Sequence, residues 1–200
     1  GQECRDGSCA GYIDVDVGPS HACGIQVDQT LWCWGRNDSG QASLSAGGSL
    51  EAPEQFLVRA ATPWVVKEVA VGARHTCAIN ASDTIECTGD NSLKQIGNRS
   101  ASGGPTNVGS LVGSFSRREF QQIAAGANHT CALDSVNEAW CWGDNQYGQR
   151  AHVGLPTPDG ANTVTFSGRF PVALATSDNT SCFLLDDARV HCVGRNDEGQ

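Results

Sequence analysis

Apolar residues in this chain come in short runs, rich in β-branched and aromatic side chains and parted by polar turns. Val69-Ala70-Val71 and Ile123-Ala124-Ala125 each run into a Gly, and Asp134-Ser135-Val136-Asn137-Glu138 separates two later runs. No stretch sustains a period of 3.6, so the pattern predicts short strands joined by hairpins rather than helices. The 24 Gly residues fit that reading, because tight turns use them.

The runs recur at a fixed interval. His21-Ala22-Cys23 returns as His75-Thr76-Cys77 and His129-Thr130-Cys131, with Thr180-Ser181-Cys182 as a weaker copy. The equivalent cysteines are 54, 54 and 51 residues apart. Ten residues after each comes a second cysteine: Cys33, Cys87, Cys141 and Cys192. Then follow Gly (Gly35, Gly89, Gly143, Gly194) and Asn (Asn37, Asn91, Asn145, Asn196), and each unit closes on Gln (Gln41, Gln95, Gln149, Gln200). A period of about 50 residues with several short strands fits a propeller blade, which must stack on neighbours to bury its faces. The chain therefore reads as all-β, with a segment over 1–10 and four blade repeats at approximately 11–41, 42–95, 96–149 and 150–200.

The cysteines belong to the hairpins. If Cys131 lies opposite Cys141, Leu133 faces Ala139 across a five-residue loop, an ordinary hairpin length. Directly opposed residues of an antiparallel pair bring their β-carbons close enough for a disulfide. Each C-x9-C thus reads as one staple: Cys23 with Cys33, Cys77 with Cys87, Cys131 with Cys141, Cys182 with Cys192. Chain entropy gives each about 2.7 kcal/mol. Cys4 and Cys9 stand outside the repeat and are expected to pair with each other. A metal site would want close ligand pairs such as C-x2-C, which are absent, so no metal or cofactor is expected.

The assembled consensus, A-x-G-x-x-H-T-C-A-L, a hairpin, then W-C-W-G-x-N-x-x-G-Q, closely resembles the regulator-of-chromosome-condensation repeat in a secreted, Cys-containing form. Residues Ala124 to Gln149 carry it best, and Val17 to Gln41 nearly as well. The second unit departs at Glu86, Thr88 and Lys94; the last departs at Thr180, His191 and Val193. The resemblance implies four-stranded blades in a ring of usually about seven. Four units then make a stretch of a longer propeller, an open arc covered by neighbouring chains, or a closed four-bladed ring. The absence of an obvious polar cap on the end units favours the first two. Gly1 at the start and the lack of Met imply a processed end or a piece of a longer chain.

Composition narrows the function. Ten cysteines in 200 residues point to an oxidising, extracellular setting. Five N-x-S/T sequons, at Asn37, Asn80, Asn98, Asn128 and Asn179, agree with that and offer sites for N-linked glycans. Asn80 and Asn98 are expected to be exposed, while Asn37 shares the repeat Asn position and is expected to serve the turn. The net charge of −9 disfavours nucleic acid, and no apolar stretch is long enough to span a membrane. Nuclear members of the resembled family bind chromatin and promote exchange on a small GTPase, a role that the acidity and the cysteines argue against.

No catalytic constellation stands out, and an enzyme is not expected. His21, His75 and His129 fall one per blade, so each ring is expected to satisfy a backbone group within its own blade. Asp14 and Asp16 alternate along a strand and read as a solvated face. Trp32/Trp34 and Trp140/Trp142 read as blade-packing pairs. The variable segments 42–67, 96–118 and 150–170 are the expected binding loops. Together these features predict an extracellular structural or interaction module of a surface appendage, filament or matrix, partnered by other protein chains or copies of itself. The alternative is a secreted recognition domain such as an inhibitor or receptor ectodomain.

Overall fold

The computed structural model describes residues 4–5, 8–9, 11–42, 49–55, 65–97, 109–110, 118–151 and 162–199. A two-stranded ribbon pairs β1 (Cys4–Arg5) with β2 (Ser8–Cys9), placing Cys4 opposite Cys9. Four antiparallel meander sheets follow. Blade one holds β3 (Tyr12–Val17), β4 (His21–Gln26), β5 (Leu31–Arg36) and β6 (Ser49–Gln55). Blade two holds β7 (Val66–Val71), β8 (His75–Asn80), β9 (Ile85–Gly89) and β10 (Gly109–Ser110). Blade three holds β11 (Phe120–Ala125), β12 (His129–Asp134), β13 (Ala139–Gly143) and β14 (Asn162–Val164). Blade four shows β15 (Pro171–Ser177), β16 (Thr180–Leu185) and β17 (Val190–Gly194). Among the described residues no helix is long and apolar enough to cross a membrane.

The sheets are out of phase with the sequence units. Strands β6, β10 and β14 lie beyond the closing Gln of their repeats, inside the segments expected to be loops. Each such segment supplies the outer strand of the preceding blade, so the units drawn at 42–95, 96–149 and 150–200 straddle two sheets.

The middle hairpin of each blade is the common unit. Cys23 faces Cys33, Cys77 faces Cys87, Cys131 faces Cys141 and Cys182 faces Cys192, and each pair is joined by a disulfide. The turns close alike: Asn80 N–H donates to Thr84 O and Asp83 N–H to Asn80 O, with the same pair of bonds at 26–30, 134–138 and 185–189. The residue after each tight turn is left-handed: Gln29, Asp83, Asn137 and Ala188 have φ of 66°, 59°, 61° and 63°. The repeat Gly after the second cysteine also has a cause. Gly89 sits at φ +105°, and a β-carbon there would come within 2.4 Å of Arg74 O.

Apolar layers fill the space between blades. Cys23, Ile25, Leu31 and Cys33 of blade one pack on Val66, Val69, Val71 and Ala78 of blade two. Cys77, Ile79, Ile85 and Cys87 then meet Phe120, Ile123, Trp140 and Trp142. Cys131, Leu133, Ala139 and Cys141 meet Phe183 and Leu185. Every junction thus sets the disulfide face of one blade against the opposite face of the next, as the two-residue period of each strand requires.

Candidate functional site

A polar relay crosses each apolar junction at the position of the repeat histidine. His21 Nε2 lies 2.7 Å from Thr76 Oγ1, His75 Nε2 2.9 Å from Thr130 Oγ1, and His129 Nε2 2.8 Å from Ser181 Oγ. Each hydroxyl in turn donates to a backbone carbonyl of the preceding blade: Thr76 to Gln41 O (2.7 Å), Thr130 to Gln95 O (3.0 Å) and Ser181 to Gln149 O (2.8 Å). A hydroxyl has one proton, so the histidine must donate from Nε2–H and leave Nδ1 bare. The Nδ1 atoms of His21, His75 and His129 accordingly have no partner. His75 and His129 pack their rings so closely on Gly72 and Gly126 that a β-carbon there would fall 2.1 Å from Cε1. The rings therefore bond a side chain of the following blade, not a backbone group of their own. The expectation of an intra-blade partner assumed that a blade satisfies itself, whereas the polar groups are shared between blades.

Burial holds these rings neutral. Desolvation lowers His21 and His129 to about 4 and His75 to about 3, the last with help from the neighbouring histidines. The closing turn serves the same junction. Asn37, Asn91 and Asn145 accept from the N–H of Ala42, Ile96 and Arg150, and Gln41, Gln95 and Gln149 accept from Ser39, Leu93 and Tyr147. Trp142 Nε1 donates to Gln95 O of the preceding blade at 2.9 Å. Thr88, where the repeat expects that Trp, donates instead to Gly40 O, one residue before the equivalent Gln41, at 3.0 Å.

The inner strands of all four blades line an open groove of about 710 Å³. A register shift falls at the same point of each inner strand, and in blades two and three the residue after it, Glu68 or Gln122, reaches the next blade. Glu68 accepts from Ile123 N–H (3.3 Å) and Gln122 from Leu174 N–H (3.2 Å). Asp16 accepts from Val71 N–H at 2.7 Å, while Asp14 is exposed and bonds Val15 N–H. Asp16 is thus a junction residue as well as a groove residue, beyond the solvated role expected for it. Burial pushes Glu68 up to about 7, opposed by its bond to Ile123 and assisted by the charges of Asp14 and Asp16.

The sequons divide. Asn37 is fully buried and its Oδ1 is held by Ala42 N–H, the turn role expected for it. Asn80 is half-buried rather than exposed, with Nδ2 donating to Glu86 Oε1 at 2.9 Å. Asn128 and Asn179 are half-buried in equivalent turns, and Asn98 lies outside the described residues.

The two end faces differ from every internal one. Blade one turns Tyr12, Val15, Val17, Trp32 and Trp34 away from blade two, with Val15 and Val17 57% and 69% exposed and Trp32 and Trp34 half-buried. The equivalent Trp142 of blade three is 1% exposed. Blade four presents Cys192, Leu184 and Val190 to solvent, the last two 39% and 65% exposed, where blade three buries Cys141, Leu133 and Ala139. The hydroxyl acceptors, Gln122 and Glu68 were not read from the sequence, although the Thr of each His-Thr-Cys carried the first signal.

Meander blades, a staple in each hairpin and a shared His–hydroxyl relay define a disulfide-stapled β-propeller repeat protein. The chain belongs to the Regulator of chromosome condensation (RCC1) repeat family, whose repeat it matches over residues 12–41, 66–95, 120–149 and 172–200. It is similar to the Danio rerio protein RCC2 homolog, 28% identical over 133 residues covering 66% of this chain and 26% of that relative. The chain thus spans about a quarter of that relative's length. Human WBSCR16 superposes with a TM-score of 0.81 at 18% identity, over 94% of this chain and 48% of that one. The ectodomain of the Arabidopsis thaliana receptor kinase ACR4 superposes with a TM-score of 0.61 at 19% identity, over 94% and 55%. These structural likenesses establish the propeller fold.

Proposed function

We propose that this chain is a non-catalytic, extracellular interaction module that binds other protein chains within a surface appendage, filament or matrix. The observation that carries this reading is the disulfide in every blade, three of the four sealed inside blade junctions. Such bonds form and persist where the compartment oxidises thiols. The repeat histidines are neutral, enclosed and committed to the junctions, so they offer no base to a substrate. The charge of −9 weighs against nucleic acid. Asn80, Asn98, Asn128 and Asn179 are the proposed acceptors for glycans. A secreted recognition domain is the second reading, favoured by the likeness to a receptor kinase ectodomain.

The test is made on intact source cells carrying the full-length protein with an epitope tag beside these repeats. The tag should be reached by antibody and cut by added protease without permeabilisation. No cysteine should take up an alkylating reagent before reduction. A protected tag, or thiols labelled in the unreduced protein, overturns the extracellular reading.

A further inference from the structure

The residue after each closing Gln fills a slot at a blade junction. Ala42 and Ile96 occupy it at the first and second junctions, fully buried among apolar side chains. Arg150 occupies it at the third and is only 3% exposed. Its backbone is placed as the others are, with Arg150 N–H bonded to Asn145 Oδ1 as Ile96 N–H is to Asn91 Oδ1. A guanidinium therefore stands where the repeat elsewhere sets a methyl or a branched alkyl group.

The facing position changes with it. Thr88 and Trp142 fill that place at the first and second junctions, and each donates to a carbonyl of the preceding turn. Val193 stands there in blade four, opposite Ser181 as Trp142 is opposite Thr130. Valine is smaller than the indole and has no proton to donate. The third junction thus combines extra room, a positive charge and a spare donor.

The charge has no counter-charge. Arg150 Nε is sealed from solvent without an acceptor, and among the described residues no ion pair reaches the side chain. Asp144 favours the charged form, but its oxygens are taken by Gln149 Nε2 and Gln146 N–H. Burial pulls the group below its ordinary value, yet a guanidinium keeps its proton at physiological pH. A lone ion in an apolar junction is heavily penalised unless an opposite charge joins it.

We infer that the junction of blades three and four binds a small inorganic anion, held by the Arg150 guanidinium in the room that Val193 leaves. The near-closure of the slot limits the ligand to a compact ion. The planar guanidinium fork matches two oxygens of one oxyanion, so sulfate should bind more tightly than chloride. This site goes beyond the proposed role in assembly and does not depend on it.

The test is thermal unfolding of the purified, oxidised full-length protein across sulfate and chloride series. Beside it run Arg150→Ile, which copies Ile96, and Arg150→Met, which keeps length without charge. An anion that binds only the folded state raises the melting temperature along a saturating curve. The wild type should gain about 5 °C at about a hundredfold excess over the dissociation constant, and less sulfate than chloride should be needed. Both variants should lose the saturating part and keep only the gradual rise that sulfate gives any protein. If neither variant folds with its disulfides intact, Arg150→Lys keeps the charge without the fork and should need more sulfate for the same gain. A wild-type curve that never saturates, a neutral variant that keeps the saturating part, or a Lys variant with an unshifted curve overturns the inference. A slot filled by water alone would give parallel wild-type and variant curves, and overturns it too. None of these results touches the tag and thiol experiment, so the two readings fail separately.

Discussion

His75 of blade two and the hydroxyl of Thr130 in blade three meet 2.9 Å apart, and that hydroxyl passes its own proton to Gln95 O. Thr130→Val removes acceptor and donor together while keeping the volume. It strands the His75 ring N–H, while Gln95 O keeps its bond from Trp142 Nε1–H, so we expect a loss of about 1–3 kcal/mol. Thr130→Ser copies the arrangement at Ser181 and should cost under about 1.5 kcal/mol. Urea unfolding of the oxidised protein checks both. Equal losses for Val and Ser would mean that the hydroxyl does not bridge the junction.

Acid should weaken the fold through the same histidines. An unfolded imidazole takes up its proton near pH 6.5, whereas the folded ones do so only near 3 to 4. The unfolded chain therefore binds more protons in that interval. This stability is complete above pH 6.5 and falls as pH drops toward 4, by up to about 1.4 kcal/mol per pH unit for each ring. Urea midpoints at pH 7.5, 6.5, 5.5 and 4.5 should decline stepwise below 6.5; a flat series counts against neutral buried rings.

Glu68 should act with the opposite sign. Its folded value of about 7 lies above the ordinary 4.5, so the folded state holds the extra proton between those values. Its stabilisation is present below pH 4.5 and is lost as pH rises through 7. Glu68→Gln copies Gln122, which makes the same bond to the next blade. At pH 8 it should raise stability by about 1 kcal/mol, allowing for solvent screening at a half-buried carboxyl. At pH 4.5 the gain should vanish, which paired thermal melts at the two pH values would register.

Ala188 holds a left-handed φ of 63° in the last hairpin. A residue with a β-carbon pays about 1 kcal/mol for that conformation, and Gly pays none. Ala188→Gly should therefore raise the melting temperature by about 2–4 °C, in spite of the added chain entropy of Gly. An unchanged or lower melting point would count against this turn geometry.

Glycan mapping should separate the sequons. Asn37 is enclosed and should be recovered unmodified from a glycosylating host, whereas Asn128 or Asn179 is expected to carry sugar. A modified Asn37 in folded protein would contradict its burial.

Much of the blade was legible because its chemistry is local. Cys131 and Cys141 are ten residues apart on one hairpin, so their spacing and the turn between them define the pairing. The junctions were less legible because they join residues 50 to 55 apart, as His21 with Thr76 and His129 with Ser181. Nothing in one repeat says which face meets the next blade, so Thr76 reads as an ordinary strand residue. The outer strands were hidden for another reason. Ser49–Gln55 and Asn162–Val164 share no motif, although each pairs along its backbone with β5 or β13.

The offset between sequence unit and sheet bears on how such genes can be cut or copied. A fragment that stops at a closing Gln carries three strands of its last blade and leaves the fourth behind. Duplication of one period lengthens the array without opening a gap, because each inserted copy returns an edge to its upstream neighbour and borrows one from downstream. Expression boundaries for these repeats are better placed after the segments ending at Gln55, Ser110 or Val164 than at the motif's own last residue.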